Sequence, residues 1–165
     1  MAEQLSRLYS PWRSEYFGSH KGEECVFCHI AKNPSDDEAN RVIYRDDKVF
    51  AVMNRYPYAP GHFMLLPIAH CDSPELLSLE VWLHLHTLSH RAMNILYEYG
   101  AHGVNMGLNI KKAAGAGIPE HLHLHFVPRY ENDTNFMTSI ASARTYGIDF
   151  DSVFRDIRAL AQKHL

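Results

Sequence analysis

No apolar run in the sequence approaches the roughly 20 residues that a membrane-spanning helix needs. Met1 to Ser10 lacks the charged start and apolar stretch of a secretory signal. Cysteine is scarce: the chain of 165 residues has three, and only Cys25 and Cys28 are paired by C-x-x-C spacing. An odd, sparse count argues against the disulfide framework of a small secreted domain and raises instead a metal or a redox pair. Basic charge is not in excess. With 16 Lys and Arg against 19 Asp and Glu, the formal net charge is -3 and the pI about 6.4. There is no positive field to hold a nucleic-acid backbone. Internal repeats are absent, as is any linker long enough to separate domains. The expectation is a soluble, cytoplasmic protein with one domain over residues 1–165 and no nucleic-acid or membrane partner.

What is present is enough apolar residue, 46%, for a real core. Residues 1–24 read as an irregular arm anchored by Tyr9, Trp12, Tyr16 and Phe17, residues 25–129 as the core, and 130–165 as a C-terminal loop and helix. Arg41–Arg45 and Lys48–Met53 flank Asp46-Asp47 and predict a hairpin. Asn54–Gly61, with two prolines, is a loop before a third strand at about His62–Pro67. Ser73 as N-cap and Pro74 at the first helical position open a long helix. Leu77, Val81, Leu85, Leu88, Ala92, Ile95 and Tyr99 form its apolar stripe and Gly100 its end. His84, His86 and His90 in that helix read as helix-face residues, because no H-E-x-x-H pattern accompanies them. Gly103–Ile110 predicts a fourth strand, and residues 111–117 a glycine-rich turn. Asp149–Leu165 predicts a last helix. The sum is an α+β arrangement: an antiparallel sheet of about five strands, with a long helix and a C-terminal helix to one side.

The fifth strand carries the chemistry. From Glu120 to Pro128 three histidines alternate with apolar residues, so His121, His123 and His125 share one strand face and Leu122, Leu124 and Phe126 the other. Pro128 lacks a ladder donor and either ends the strand or confines it to an edge. Three imidazoles in a row are a costly accident in a core, since each buried polar group needs a partner. A catalytic metal with an open fourth position is the rival to direct histidine chemistry.

The run His121-Leu-His-Leu-His-Phe-Val127, with the C-V-F-C start, the N-R-Y-P-Y-A-P-G-H segment and the L-P-I-A-H segment, resembles the histidine-triad family of nucleotidyl hydrolases and transferases. Pro11-Trp12-Arg13, Glu15-Tyr16, Pro119-Glu120 and Asp133-Thr134-Asn135-Phe136-Met137 are similar to its bacterial diadenosine tetraphosphate phosphorylase branch. The resemblance implies the histidine-triad fold. It also implies a catalytic set of His121, His123, His125 and His62, in which His123 attacks the α-phosphorus, His125 donates to the α-phosphate and His62 orients the central histidine, His123. Asn54 is implied for the ribose, Asn109 and the turn amides at Gly115 and Gly117 for the phosphates, and Phe27 with Val26 and Ile30 for adenine. Cys25, Cys28, His70 and His121 are implied as ligands of a structural zinc ion. Hydrolases of the family carry glutamine or serine four residues before the first histidine, where this chain has Gly117; a backbone amide, Lys111 or Lys112 is left to replace that contact. The expected activity is phosphorolysis of an adenine dinucleotide by inorganic phosphate. Hydrolysis of dinucleotides or phosphoramidates, a non-catalytic nucleotide-binding regulator and a zinc hydrolase are the alternatives. A homodimer or higher homo-oligomer is the expected assembly.

Overall fold

Apolar residues alternating between turn formers build five strands, β1 (Val42–Arg45), β2 (Val49–Met53), β3 (Phe63–Pro67), β4 (Gly103–Leu108) and β5 (Leu124–Arg129). They form one antiparallel sheet in the order β1-β2-β3-β5-β4. The computed structural model describes residues 25–131, 133 and 148–165. The expected aromatic arm over residues 1–24, and residues 134–137, lie outside the described residues. The β1–β2 hairpin turns where two aspartates predict it: Asp46 Oδ1 accepts from the amides of Lys48 and Val49, each at 2.8 Å.

Side-chain alternation divides the sheet into two buried faces. Ile43, Ala51, Phe63, Leu65, Leu124 and Phe126 point to α2 (Leu79–Tyr99) and α3 (Phe150–His164). There they meet Leu85, Leu88, Ala92 and Ile95 of α2 and Val153, Phe154, Ile157 and Ala161 of α3. Phe63 and Phe126 stack with centroids 4.9 Å apart. Each fully buried side chain of this size contributes roughly 1.5–3 kcal/mol. On the opposite face Val42, Phe50, Val52, Met64 and Leu66 are covered by α1 (Val26–Lys32) through Phe27 and Ile30. The α+β antiparallel architecture is the expected one. The addition is α1, which puts a helix on the second face; seven residues are too few to display a helical period.

Two boundaries differ from expectation by more than two residues. Ser73 and Pro74 open only a 3-10 turn, Pro74–Leu76, after which Leu77 is extended, with φ -83° and ψ 150°. Leu77 therefore drops out of the apolar stripe. The helix begins at Leu79, where Ser78 Oγ accepts from the Val81 amide at 3.3 Å. Gly100, at φ 106°, ends it as expected, donating to the carbonyls of Leu96 and Tyr97. The regular part of the histidine strand starts at Leu124 rather than Glu120 and continues through Pro128 to Arg129. Pro128 is tolerated because β3 pairs with β5 only from Leu124 to Phe126 and no longer borders the strand at that point. Upstream, Leu122 leaves the ladder and its amide donates to the Cys71 carbonyl. Among the described residues no helix is long and apolar enough to cross a membrane.

Candidate active site and metal cluster

Strand register places Val42, Val52, Met64 and His125 in one row across the sheet, on the face that α1 covers. Between this row and α1 lies a cavity of about 620 Å³. Its apolar walls are Val26, Phe27 and Ile30 from α1 and Val52 and Met64 from the sheet, and His125 of β5 and His123 just before it enter the cavity. Asn54, Asn109, Gly115 and Gly117, singled out in the sequence, also line it. His62 lies behind the lining, fully buried.

Hydrogen-bond partners assign the tautomers of the histidines. The Nδ1–H of His123 donates to the carbonyl of His121 at 2.8 Å, which leaves a lone pair on Nε2. The backbone amide of Tyr58 donates to His62 Nδ1 at 3.1 Å, so the proton of His62 resides on Nε2. That Nε2–H donates to His125 Nδ1 at 3.0 Å. His125 must then carry its own proton on Nε2. Asn54 Nδ2, 3.3 Å from His62 Nε2, adds no second bond to a nitrogen that already holds a proton. Tyr58 stacks on His62 with centroids 5.0 Å apart, and His125 meets His123 edge to face at 4.8 Å.

Burial holds all of these imidazoles neutral. It pushes His62 down to about 3, with smaller contributions from His125 and His123. His125 falls to about 4, again through burial first and His123 second. His123 and His121 are lowered by burial in the same direction, opposed by their bonds to backbone carbonyls.

His121 faces away from the cavity chemistry. Its Nε2–H donates to the Pro67 carbonyl at 2.9 Å, turning Nδ1 toward Cys25 Sγ and Cys28 Sγ, both at 3.6 Å. Cys28 Sγ is 3.0 Å from His70 Nδ1. One donor atom from each of the four residues lies within 4.8 Å of every other. Two thiols and two imidazole nitrogens at this spacing, one of them oriented by a carbonyl behind it, fit a single tetrahedral metal ion.

Other residues singled out in the sequence have the following partners. The Gly115 amide donates to the Lys112 carbonyl at 3.0 Å and is not a free phosphate donor. Lys111 and Lys112 do not line the cavity, and Lys111 Nζ lies 3.9 Å from Asp72. Asn54 does the work of a turn asparagine, with Oδ1 accepting from the Tyr56 amide at 2.9 Å, while its side chain also borders the cavity. In α2, His84 donates to Asp46 at 2.6 Å and His86 to the Trp82 carbonyl at 2.9 Å. His90 is exposed. None of the three joins a metal cluster among the described residues. Cavity residues that the sequence reading did not single out include Arg41, Tyr58 and Phe150. Tyr58 sits inside the recognised N-R-Y-P-Y-A-P-G-H run; no local signal marks the other two.

Residues 36–132 match the HIT domain. An AP-4-A phosphorylase from Mycobacterium tuberculosis is 33% identical over 168 aligned positions, covering 96% of this chain and 83% of that protein. A bis(5'-adenosyl)-triphosphatase from Saccharomyces cerevisiae is 29% identical over 93 positions, 55% of this chain and 45% of that one. Among solved structures, a Zn-bound histidine triad family protein from Mycobacterium smegmatis superposes with a TM-score of 0.68 at 27% identity, covering 85% of this chain and 94% of that one.

Proposed function

This chain belongs to the histidine-triad (HIT) family, and we propose that it transfers nucleotidyl groups through His123, with phosphorolysis of diadenosine tetraphosphate to ATP and ADP as the reaction. The observation that carries the reading is the 2.8 Å bond from His123 Nδ1–H to the His121 carbonyl, which leaves Nε2 unprotonated on a cavity-lining residue. A neutral imidazole fixed in that tautomer is a nucleophile at ordinary pH. Its lone pair attacks the α-phosphorus, the bond to the bridging oxygen breaks, and ATP leaves. The AMP held on His123 Nε2 is then taken by inorganic phosphate, which forms ADP and frees the nitrogen.

Charge builds on the phosphoryl oxygens in both steps, and donors must already be in place. The His62–His125 relay supplies one, since it leaves His125 Nε2–H facing outward from a neutral ring. Asn109 and the Gly117 amide are assigned to the phosphate, and Gly117 takes backbone contact where a side chain is missing. Phe27, Val26 and Ile30 form the slot for the base and Asn54 meets the ribose diol. The fit of the four-residue cluster, together with the zinc-bound relative, supports a closed structural zinc site. Such an ion would tie α1 to the start of the catalytic strand and leave no position for water. A cytoplasmic setting and a homodimer or larger homo-oligomer complete the reading. The exposed edge of β4, at Asn105, Met106 and Gly107, is the feature that supports assembly.

Product identification after incubation with diadenosine tetraphosphate, with and without inorganic phosphate, tests the reaction. ATP and ADP in equal amounts, formed only with phosphate, is the expected result. ATP and AMP formed without phosphate would make the protein a hydrolase, the activity named for its yeast relative.

A further inference from the structure

We propose that α3, which lies outside the residues matched to the HIT domain, completes the base end of the nucleotide cavity, with Phe150 selecting the base and the Arg41–Asp151 ion pair holding that end together. The proposal rests on the reading of His123 as nucleophile, because that reading sets the direction in which the nucleotide lies.

The row Val42, Val52, Met64, His125 crosses four neighbouring strands. Three strand spacings separate its ends by about 14 Å. With the α-phosphorus at His123, the sugar and base run away from β5 toward β1, beneath Phe27 and Ile30. The residues that line the cavity at that far end are Asn40 and Arg41, just before β1, and Phe150, the first residue of α3.

The far end is built, not incidental. Arg41 holds a left-handed φ of 60°, a conformation that costs a non-glycine residue free energy. Its carbonyl accepts from the Met53 amide at 3.0 Å, and its guanidinium pairs with Asp151 at 2.5 Å and lies 5.1 Å over the Phe154 ring. Arg158 covers the same ring at 5.6 Å and pairs with Glu38 at 3.2 Å. Exposed pairs of this kind add little stability. Their consequence is positional, because they clamp the first three turns of α3 to residues 38–41. Asp149 caps the helix by accepting from the Ser152 amide at 2.8 Å, which fixes where the helix starts and hence where Phe150 stands.

An aromatic ring at the far end of an apolar slot suits a planar heterocycle. Measured from a fixed α-phosphorus, a purine reaches further than a pyrimidine. Phe150 therefore meets a purine and leaves a gap beyond a pyrimidine.

The test is calorimetric binding of AMP and UMP, with kcat and KM for the diadenosine and diuridine tetraphosphates, on the full chain and on Phe150→Ala, Phe150→Leu and Asp151→Asn. The expected result is about a tenfold loss of the purine-to-pyrimidine preference in Phe150→Ala, falling on KM more than on kcat. Phe150→Leu, which keeps apolar bulk for the core, loses most of the same preference, and Asp151→Asn part of it. An unchanged purine-to-pyrimidine ratio in folded Phe150→Ala and Phe150→Leu, while both nucleotides still bind, overturns the role of α3 and leaves the nucleotide reading standing. Failure of the unaltered protein to bind either nucleotide overturns the nucleotide reading, and this proposal with it.

Discussion

His121 holds His123 from behind: its carbonyl accepts the Nδ1–H of His123 at 2.8 Å, while its own ring turns toward the thiols of Cys25 and Cys28 at 3.6 Å. Backbone and side chain of one residue thus link the candidate metal cluster to the imidazole proposed as nucleophile. Chelation with a strong zinc ligand is expected to lower Tm markedly, and Cys28→Ser to lower both metal content and Tm, because structural metal binding is coupled to folding. Activity should fall in step with the folded fraction. Full loss of turnover at unchanged Tm would instead mean a metal that takes part in the reaction.

His123→Ala removes the nitrogen proposed to accept the nucleotidyl group. Loss of at least about a thousandfold in kcat is expected, with AMP affinity within a few-fold of the unaltered protein, since the slot around Phe27 and Asn54 is untouched. Retained activity with intact nucleotide binding would leave a non-catalytic binding protein.

Acid should destabilise the fold through His62 and His125. Their folded values, about 3 and about 4, lie below the ordinary 6.5 that each regains on unfolding. Between those limits the unfolded chain binds the extra protons, so stability is complete above pH 6.5 and lost as pH falls toward 4. Each histidine contributes about 1.4 kcal/mol per pH unit at most inside that window. Tm measured from pH 7.5 to 5 should be flat at first and then fall; a flat profile throughout would show that these rings are not held neutral.

Most of the site was legible because it lies in four short runs: C-x-x-C, Asn54–His62, the L-P-I-A-H segment ending at His70, and the alternating histidines. Period-two alternation also separated the two faces of β5. Local signals failed where two of them competed: Ser73 and Ser78 are both acceptable N-caps, and only the extended backbone at Leu77 decides for the second. They failed again where a contact is tertiary. Arg41 and Asp151 are 110 residues apart, and nothing in either neighbourhood announces that α3 returns to the cavity. The pairing of the Gly115 amide with the Lys112 carbonyl likewise has no signal in the sequence.

Gly61 offers a test of how firmly the relay is placed. It holds φ +89°, and a Cβ there would stand 3.3 Å from the Tyr99 ring and 3.5 Å from Ile157. Gly61→Ala therefore meets both backbone strain and a crowded core, and a loss of about 1–3 kcal/mol in unfolding free energy is expected. The next residue is His62, whose Nδ1 depends on the Tyr58 amide and whose Nε2 reaches His125. A shift in this turn should cost kcat beyond the loss of folded protein. Denaturant unfolding and kcat measured on the folded fraction separate the two effects: unchanged kcat would mean that the loop places His62 with slack to spare.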